Sequence, residues 1–203
     1  MRKILLILVA LAAIVSCTGG PQRTAVSFDD VVASRRSVRS FDAARSISES
    51  EIRTLLATAQ EAPSWTNSQP SRYYVALSQE KADAVREVIG DWNKKNTAGA
   101  SAFIVSTYVK GLSGFRKDGQ PANEAGDGWG AYDNGLSNAY LVLKARAMGF
   151  DTLIMGGRDA DAIRSIFNIP EGEAIMAVIA LGYRAVDPQR PARKPLDEIV
   201  KIY

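Results

Sequence analysis

Three kinds of apolar spacing divide this chain. Residues 4–15 are apolar without interruption. Residues 102–109 and 174–181 are shorter runs rich in Ile, Val and Ala, the pattern of strands buried on both faces. Around them apolar residues recur at helical spacing. Ser27 can cap a first helix running to about Ser34, with Phe28, Val31 and Val32 on one face. Ser48 and Glu51 make a capping-box pattern ahead of Ile52, Leu55, Leu56 and Ala59, and Pro63 stops that helix. Residues 73–77 predict a strand, 79–90 a helix carrying Ala82, Val85, Val88 and Ile89, and 151–155 a short strand. A long helix over about 130–148 is expected to face inward through Leu136, Ala139, Tyr140, Leu143 and Ala147, with Gly149 as its stop. A helix over 159–167 precedes the strand at 174–181, and 195–203 alternates loosely like an edge strand. Residues 110–128 show no periodicity, and so long an aperiodic loop is often functional.

The first apolar run sets the expected compartment. It follows the positive start Met1-Arg2-Lys3 and is shorter than the roughly 20 residues a spanning helix needs, so it reads as a secretory signal. Ile14-Val15-Ser16-Cys17 then resembles a bacterial lipobox, and Cys17 is the only cysteine of the chain. The expectation is a lipoprotein signal peptide over 1–16, lipidation at Cys17, a polar tether over 17–27 and a folded domain over 28–203. That would place the protein in the bacterial cell envelope, held to a membrane through its lipid anchor. The chain has 25 Lys+Arg and 22 Asp+Glu; without Arg2 and Lys3 the balance is 23 to 22, a net +1 that gives no reason to invoke nucleic acid. The absence of His excludes a Ser-His-Asp triad, a His-based zinc site and a His base. With its only cysteine in the leader, no metal site is expected either, and an enzyme of this composition borrows its chemistry from a cofactor.

Two short motifs suggest which cofactor. Ser34-Arg35-Arg36-Ser37-Val38-Arg39-Ser40-Phe41 gathers three guanidiniums and several hydroxyls, a composition suited to a phosphate. Ala62-Pro63-Ser64-Trp65-Thr66-Asn67-Ser68-Gln69-Pro70 is a polar run bracketed by prolines, suited to a rigid loop whose amides and hydroxyls meet a ring system. In this order and spacing they resemble the FMN-dependent nitroreductase family, over nearly all of the chain from about Phe28. The resemblance implies an α+β fold, with a mainly antiparallel central sheet flanked by helices, in an interlocked homodimer. Its tail beyond Pro195 would exchange onto the partner's sheet.

By the same resemblance Arg35, Arg36, Ser37 and Arg39 hold the phosphate and ribityl end of FMN, and Arg193 completes the phosphate site. Pro63, Ser64, Trp65, Asn67 and Gln69 reach the flavin from the partner subunit. Met155, Gly156 and Gly157 turn beside flavin N5, where glycine permits close backbone approach. Asn93 or Asn96 supplies the amide for the pyrimidine edge. Trp65 stacks on the flavin, lines the substrate pocket or sits at the rim of the dimer interface, and Phe115, Trp129 and Tyr132 are candidates for the substrate wall. No protein side chain is assigned a catalytic role, since the flavin does the chemistry. The implied activity is an oxidoreductase that takes electrons from NAD(P)H and passes them through flavin N5 to a nitroaromatic, quinone or similar acceptor. The alternative is a lipid-anchored protein that binds a flavin or other phosphorylated ligand without turnover.

Overall fold

The computed structural model describes residues 26–203, so the leader and Cys17 lie outside the described residues. The first helix, α1 (Phe28–Ser34), starts at the expected cap: Ser27 Oγ accepts from the Asp30 amide at 3.1 Å. In α2 (Glu49–Gln60) the capping box is complete, with Glu51 N donating to Ser48 Oγ and Ser48 N to Glu51 Oε2. These bonds satisfy amides that the first helical turn would otherwise leave orphaned.

Four strands, β1 (Ser71–Ala76), β2 (Ala102–Val109), β3 (Asp151–Met155) and β4 (Glu173–Gly182), form one antiparallel sheet in the order β1-β2-β4-β3. β2 and β4 lie inside, in register through Ile104 opposite Ile179, and β2 is buried along all but its last residue. This is why both read as unbroken apolar runs. The sheet separates two cores. One packs Phe103, Val105, Val178 and Ala180 with α3 (Gln79–Glu87) and α6 (Ala160–Phe167); the other packs Ile104, Ile179 and Leu181 with α2 and α5 (Gly128–Ala147).

Three expectations are corrected. The helix drawn over 79–90 ends at Glu87, because Val88 leaves helical geometry and Gly90 adopts φ +78°. The chain then restarts as α4 (Asp91–Asn96). In α5 the inward face is Gly130, Asp133, Asn134, Ser137, Asn138, Leu141, Val142 and Ala145. The apolar stripe read from the sequence points the other way, and Ala139, Tyr140 and Ala147 are exposed. The tail forms one helical turn, α7 (Leu196–Ile199), instead of an edge strand. Pro195 with Asp197 and Glu198 behind it is a helix-start composition, and Val200 N closes on Leu196 O at 3.0 Å.

Candidate functional site

The arginine-rich segment starts beside Thr152 of β3 and continues along residues 183–185, just beyond β4. Val38 and Phe41 are buried in the core, whereas Ser37, Arg39 and Ser40 are exposed. Backbone bonds fix its course: Val38 N donates to Thr152 O at 3.0 Å, Asp42 N to Tyr183 O and Ala185 N to Ser40 O. Ser37 pairs with Thr152 as an isolated parallel bridge. Behind the segment, the buried Asp151 carboxylate accepts from Arg184 Nε at 2.9 Å and Nη2 at 2.5 Å, and from Arg146 Nη1 at 3.4 Å. Those hydrogen bonds raise the Arg184 pKa above its usual value. Both guanidiniums also grip Ser34, Arg184 at its carbonyl and Arg146 at its hydroxyl.

Among the described residues Arg35, Arg39 and Arg193 have no carboxylate partner, which leaves three cations available to an anion. Arg36 is placed differently. Its Nη1 donates to the carbonyls of Ala33 and Arg35, both at 2.7 Å, while its Nε is buried without a partner. Its pKa is lowered, first by desolvation and then by the charges of Arg190 and Arg184. The chain beyond β4 therefore runs back beside the arginine segment. Arg193, three residues beyond Arg190, is exposed, with Nη1 on the carbonyls of Pro191 and Ala192.

The other end of β3 carries Met155, Gly156 and Gly157. Asn93 on α4 reaches this turn: its Nδ2 donates to Gly157 O at 3.1 Å and to Ile89 O at 3.0 Å. A Cβ on Gly157 would come within 3.3 Å of that nitrogen, so glycine allows the close approach. Both amide hydrogens of Asn93 are thereby used. Asn96, one turn further along α4, keeps a buried Nδ2 with no partner. Thr152 and Gly157 are five residues apart, about 16 Å of extended chain.

The 63–70 loop contains a 3-10 turn, Trp65–Asn67, and three residues in the left-handed region: Thr66 at φ +46°, Asn67 at +57° and Gln69 at +48°. Non-glycine residues there cost on the order of 1–3 kcal/mol each and persist only where surroundings over-determine them. Gln69 N donates to Ser64 Oγ at 2.9 Å and Gln69 Nε2 to Asn67 Oδ1 at 3.3 Å, so Ser64, Asn67 and Gln69 support one another. Pro63 and Ser64 also line a cleft of about 450 Å³ with Leu56, Tyr73, Asp133 and Ser137. The Trp65 ring rests on Trp129 at 4.6 Å between centroids, and Trp129 meets Tyr132 edge-on at 5.6 Å. The aperiodic 110–127 segment is shaped by its own bonds, among them Ala122 N to Gly114 O at 2.7 Å and Trp129 Nε1 to Asn123 Oδ1 at 3.0 Å. Phe115 pairs there with Pro121 and has no ring contact with Trp129 or Tyr132.

Sequence reasoning missed the support beneath this loop. Asp133, Asn134, Ser137 and Asn138 share the buried face of α5. Asn134 Nδ2 donates to Thr107 O at 2.9 Å and Asn138 Nδ2 to Asn134 Oδ1 at 3.1 Å. Ser106 Oγ lies 2.9 Å from both amide oxygens, and Tyr73 OH donates to Ser137 Oγ, which donates to Ala59 O. The available signal was the pair of adjacent polar dipeptides one turn apart, 133–134 and 137–138, in a helix otherwise rich in apolar residues.

Residues 32–183 match the Nitroreductase family, and the chain belongs to it. It is 28% identical over 187 residues to an NADH dehydrogenase of Thermus thermophilus, covering 82% of this chain and 91% of that one. It is 27% identical over 202 residues to YdgI of Bacillus subtilis, a protein assigned as an NAD(P)H nitroreductase, covering 86% and 96% respectively. Among solved structures, one from Exiguobacterium sibiricum, assigned as a nitroreductase and in complex with FMN, superposes with a TM-score of 0.80. It shows 25% identity, over 89% of this chain and 99% of that one.

Proposed function

We propose that this protein is an FMN-dependent oxidoreductase that takes electrons from NAD(P)H and delivers them to nitroaromatic, quinone or similar electron-poor acceptors. The observation that carries this reading is the edge of β3. Ser37 pairs near its start and Asn93 closes on the glycine turn just past its end, so a cationic segment and a close-approach turn share one strand. The residues fit FMN: the unpaired cations Arg35 and Arg39 suit its phosphate, and the orphaned Asn96 amide suits an acceptor on its pyrimidine. In sequence Arg36 and Ser37 lie between Arg35 and Arg39, Arg36 with its head group largely turned to backbone carbonyls. Bound FMN would supply reversible hydride acceptance. In net terms NADH gives a hydride and solvent a proton. A nitro group becomes nitroso plus water, or a quinone becomes hydroquinone. The protein's part is to hold, orient and shield.

The relatives' names support the nicotinamide donor, and the Exiguobacterium complex supports FMN. A homodimer belongs to the same proposal. The exposed face of α5 with Tyr132 and Tyr140, together with Leu196, Ile199, Ile202 and Tyr203 of the tail, offers apolar surface to a second copy. In that dimer the 63–70 loop would serve the partner's flavin. Through Cys17 the mature protein would be anchored as an envelope lipoprotein. Cys17→Ser should move it from the membrane fraction to the soluble one or leave an uncleaved precursor.

The deciding experiment is a visible spectrum of the purified protein. A yellow protein whose flavin band bleaches with NADH or NADPH and returns on adding a nitroaromatic supports turnover. A flavin that neither nicotinamide reduces supports a carrier that binds without turnover, and a protein that takes up no FMN sinks both.

A further inference from the structure

Asp133 touches the strained loop from below. It is a carboxylate only 3% exposed, on the inward face of α5. Its Oδ2 accepts from the Trp65 backbone N–H at 2.9 Å and from the Ser113 hydroxyl at 2.7 Å. Ser113 is itself fully buried and lies 2.6 Å from Ser68 Oγ. Because the single Ser113 proton is directed at Asp133, the Ser68 hydroxyl donates to Ser113. One carboxylate oxygen therefore holds the loop twice, at Trp65 directly and at Ser68 through Ser113. Those two points flank Thr66 and Asn67, both in left-handed geometry.

The second branch matters as much. Ser113 belongs to the 110–127 segment, whose Asn123 accepts from Trp129 Nε1, and Trp129 is the ring against which Trp65 rests. Asp133 thus ties together both sides of a half-buried aromatic wall. We infer that Asp133 is a positioning residue for acceptor choice: it sets the 63–70 loop and the Trp65–Trp129 pair as one unit on which a planar aromatic acceptor stacks. The inference rests on the flavin-oxidoreductase reading above. A planar ring feels the tilt of this wall, whereas an acceptor that cannot stack does not.

The test compares steady-state KM for 4-nitrobenzoate with KM for ferricyanide, using flavin-loaded full-length protein and NADH. Asp133→Ala should raise the nitrobenzoate-to-ferricyanide KM ratio on the order of tenfold, with kcat for ferricyanide per bound flavin little changed. Asp133→Asn keeps an acceptor oxygen for both donors and should restore most of the wild-type ratio. Ser113→Ala cuts only the Ser68 branch and should fall between the two. If Asp133→Ala does not fold, Ser113→Ala decides alone. An unchanged ratio in a folded, flavin-loaded Asp133→Ala or Ser113→Ala variant overturns the inference, as does a melting-temperature loss with no change in ratio. A wild type that binds no FMN, or whose flavin NADH does not reduce, defeats the underlying reading instead. The two failures are therefore told apart before any variant is made.

Discussion

The edge of β3 and the 63–70 loop solve opposite problems. At the β3 edge, extended chain is pinned by ordinary backbone pairing, and the chemistry faces outward as unpaired cations around Arg35 and Arg39. In the loop the backbone is strained, and what fixes it is a buried side-chain network on α5. The first region can move its charges on flexible stems with little loss of shape. The second has shape as its whole content. Changes at the β3 edge should therefore report mainly as ligand affinity, and changes under the loop as selectivity.

The sharpest way to break that contrast is at Asp151, the buried carboxylate behind the β3 edge. Asp151→Ala leaves Arg184 and Arg146 facing an empty carboxylate site. The expected cost is about 3 kcal/mol, or about 9 °C in melting temperature, since several charged hydrogen bonds are lost and Arg146 is left without a carboxylate, although Arg184 keeps Asp187. A shift under 2 °C in calorimetry, roughly below 1 kcal/mol, would mean that backbone pairing alone holds the segment.

Arg39→Ala comes next. It should leave melting of the flavin-free protein unchanged while weakening FMN binding by about 2 kcal/mol, roughly thirtyfold, through loss of a charge-assisted hydrogen bond. A fluorescence titration with unchanged affinity would remove Arg39 from the site. Asn96→Leu is the finer probe. Because the Asn96 donor is buried and unpaired, the flavin-free protein should be as stable as wild type or slightly more so. FMN should nevertheless bind about tenfold more weakly if that donor meets the cofactor. Lower stability without FMN and unchanged affinity would assign Asn96 a purely structural role.

The smallest effect lies under the loop. Burial raises the Tyr73 pKa. Native Tyr73 therefore keeps its proton where an unfolded tyrosine, with a pKa of about 10, loses it. Its contribution is fully present below about pH 10 and is lost as pH rises further. Tyr73→Phe should flatten the alkaline fall in urea midpoint slightly, leaving the parts due to Tyr74 and Tyr108, whose pKa values are also raised. An identical alkaline slope in the variant would show that Tyr73 does not titrate with unfolding.

The same contrast explains what could be read from the sequence. The arginine segment was legible as a cationic stretch because charge is carried by residue type. The caps at Ser27 and Ser48 and the buried strands β2 and β4 were legible because each obeys a local rule. The inward face of α5 was misread because its burial is polar. Leu136, Ala139 and Tyr140 offered a better hydrophobic stripe than Asp133, Asn134, Ser137 and Asn138, yet α5 turns the polar residues toward β1, β2 and the loop. Whether such residues face in depends on partners far along the chain, as with Thr107 for Asn134 and Trp65 for Asp133. The break at Gly90 and the helical tail were missed on a smaller scale, since each turns on one or two residues at an element boundary.

The left-handed backbone at Thr66 and Asn67 carries a consequence for how this protein can be improved. Thr66→Gly would relieve the torsional penalty at φ +46° and would also widen the conformational freedom of the unfolded chain. A screen for heat resistance would reward the change wherever relief exceeds the added freedom. A screen for discrimination between acceptors would reject it, because a glycine there lets the loop settle into several shapes. The two screens would drive this position in opposite directions, so thermostable variants selected blindly should become less choosy.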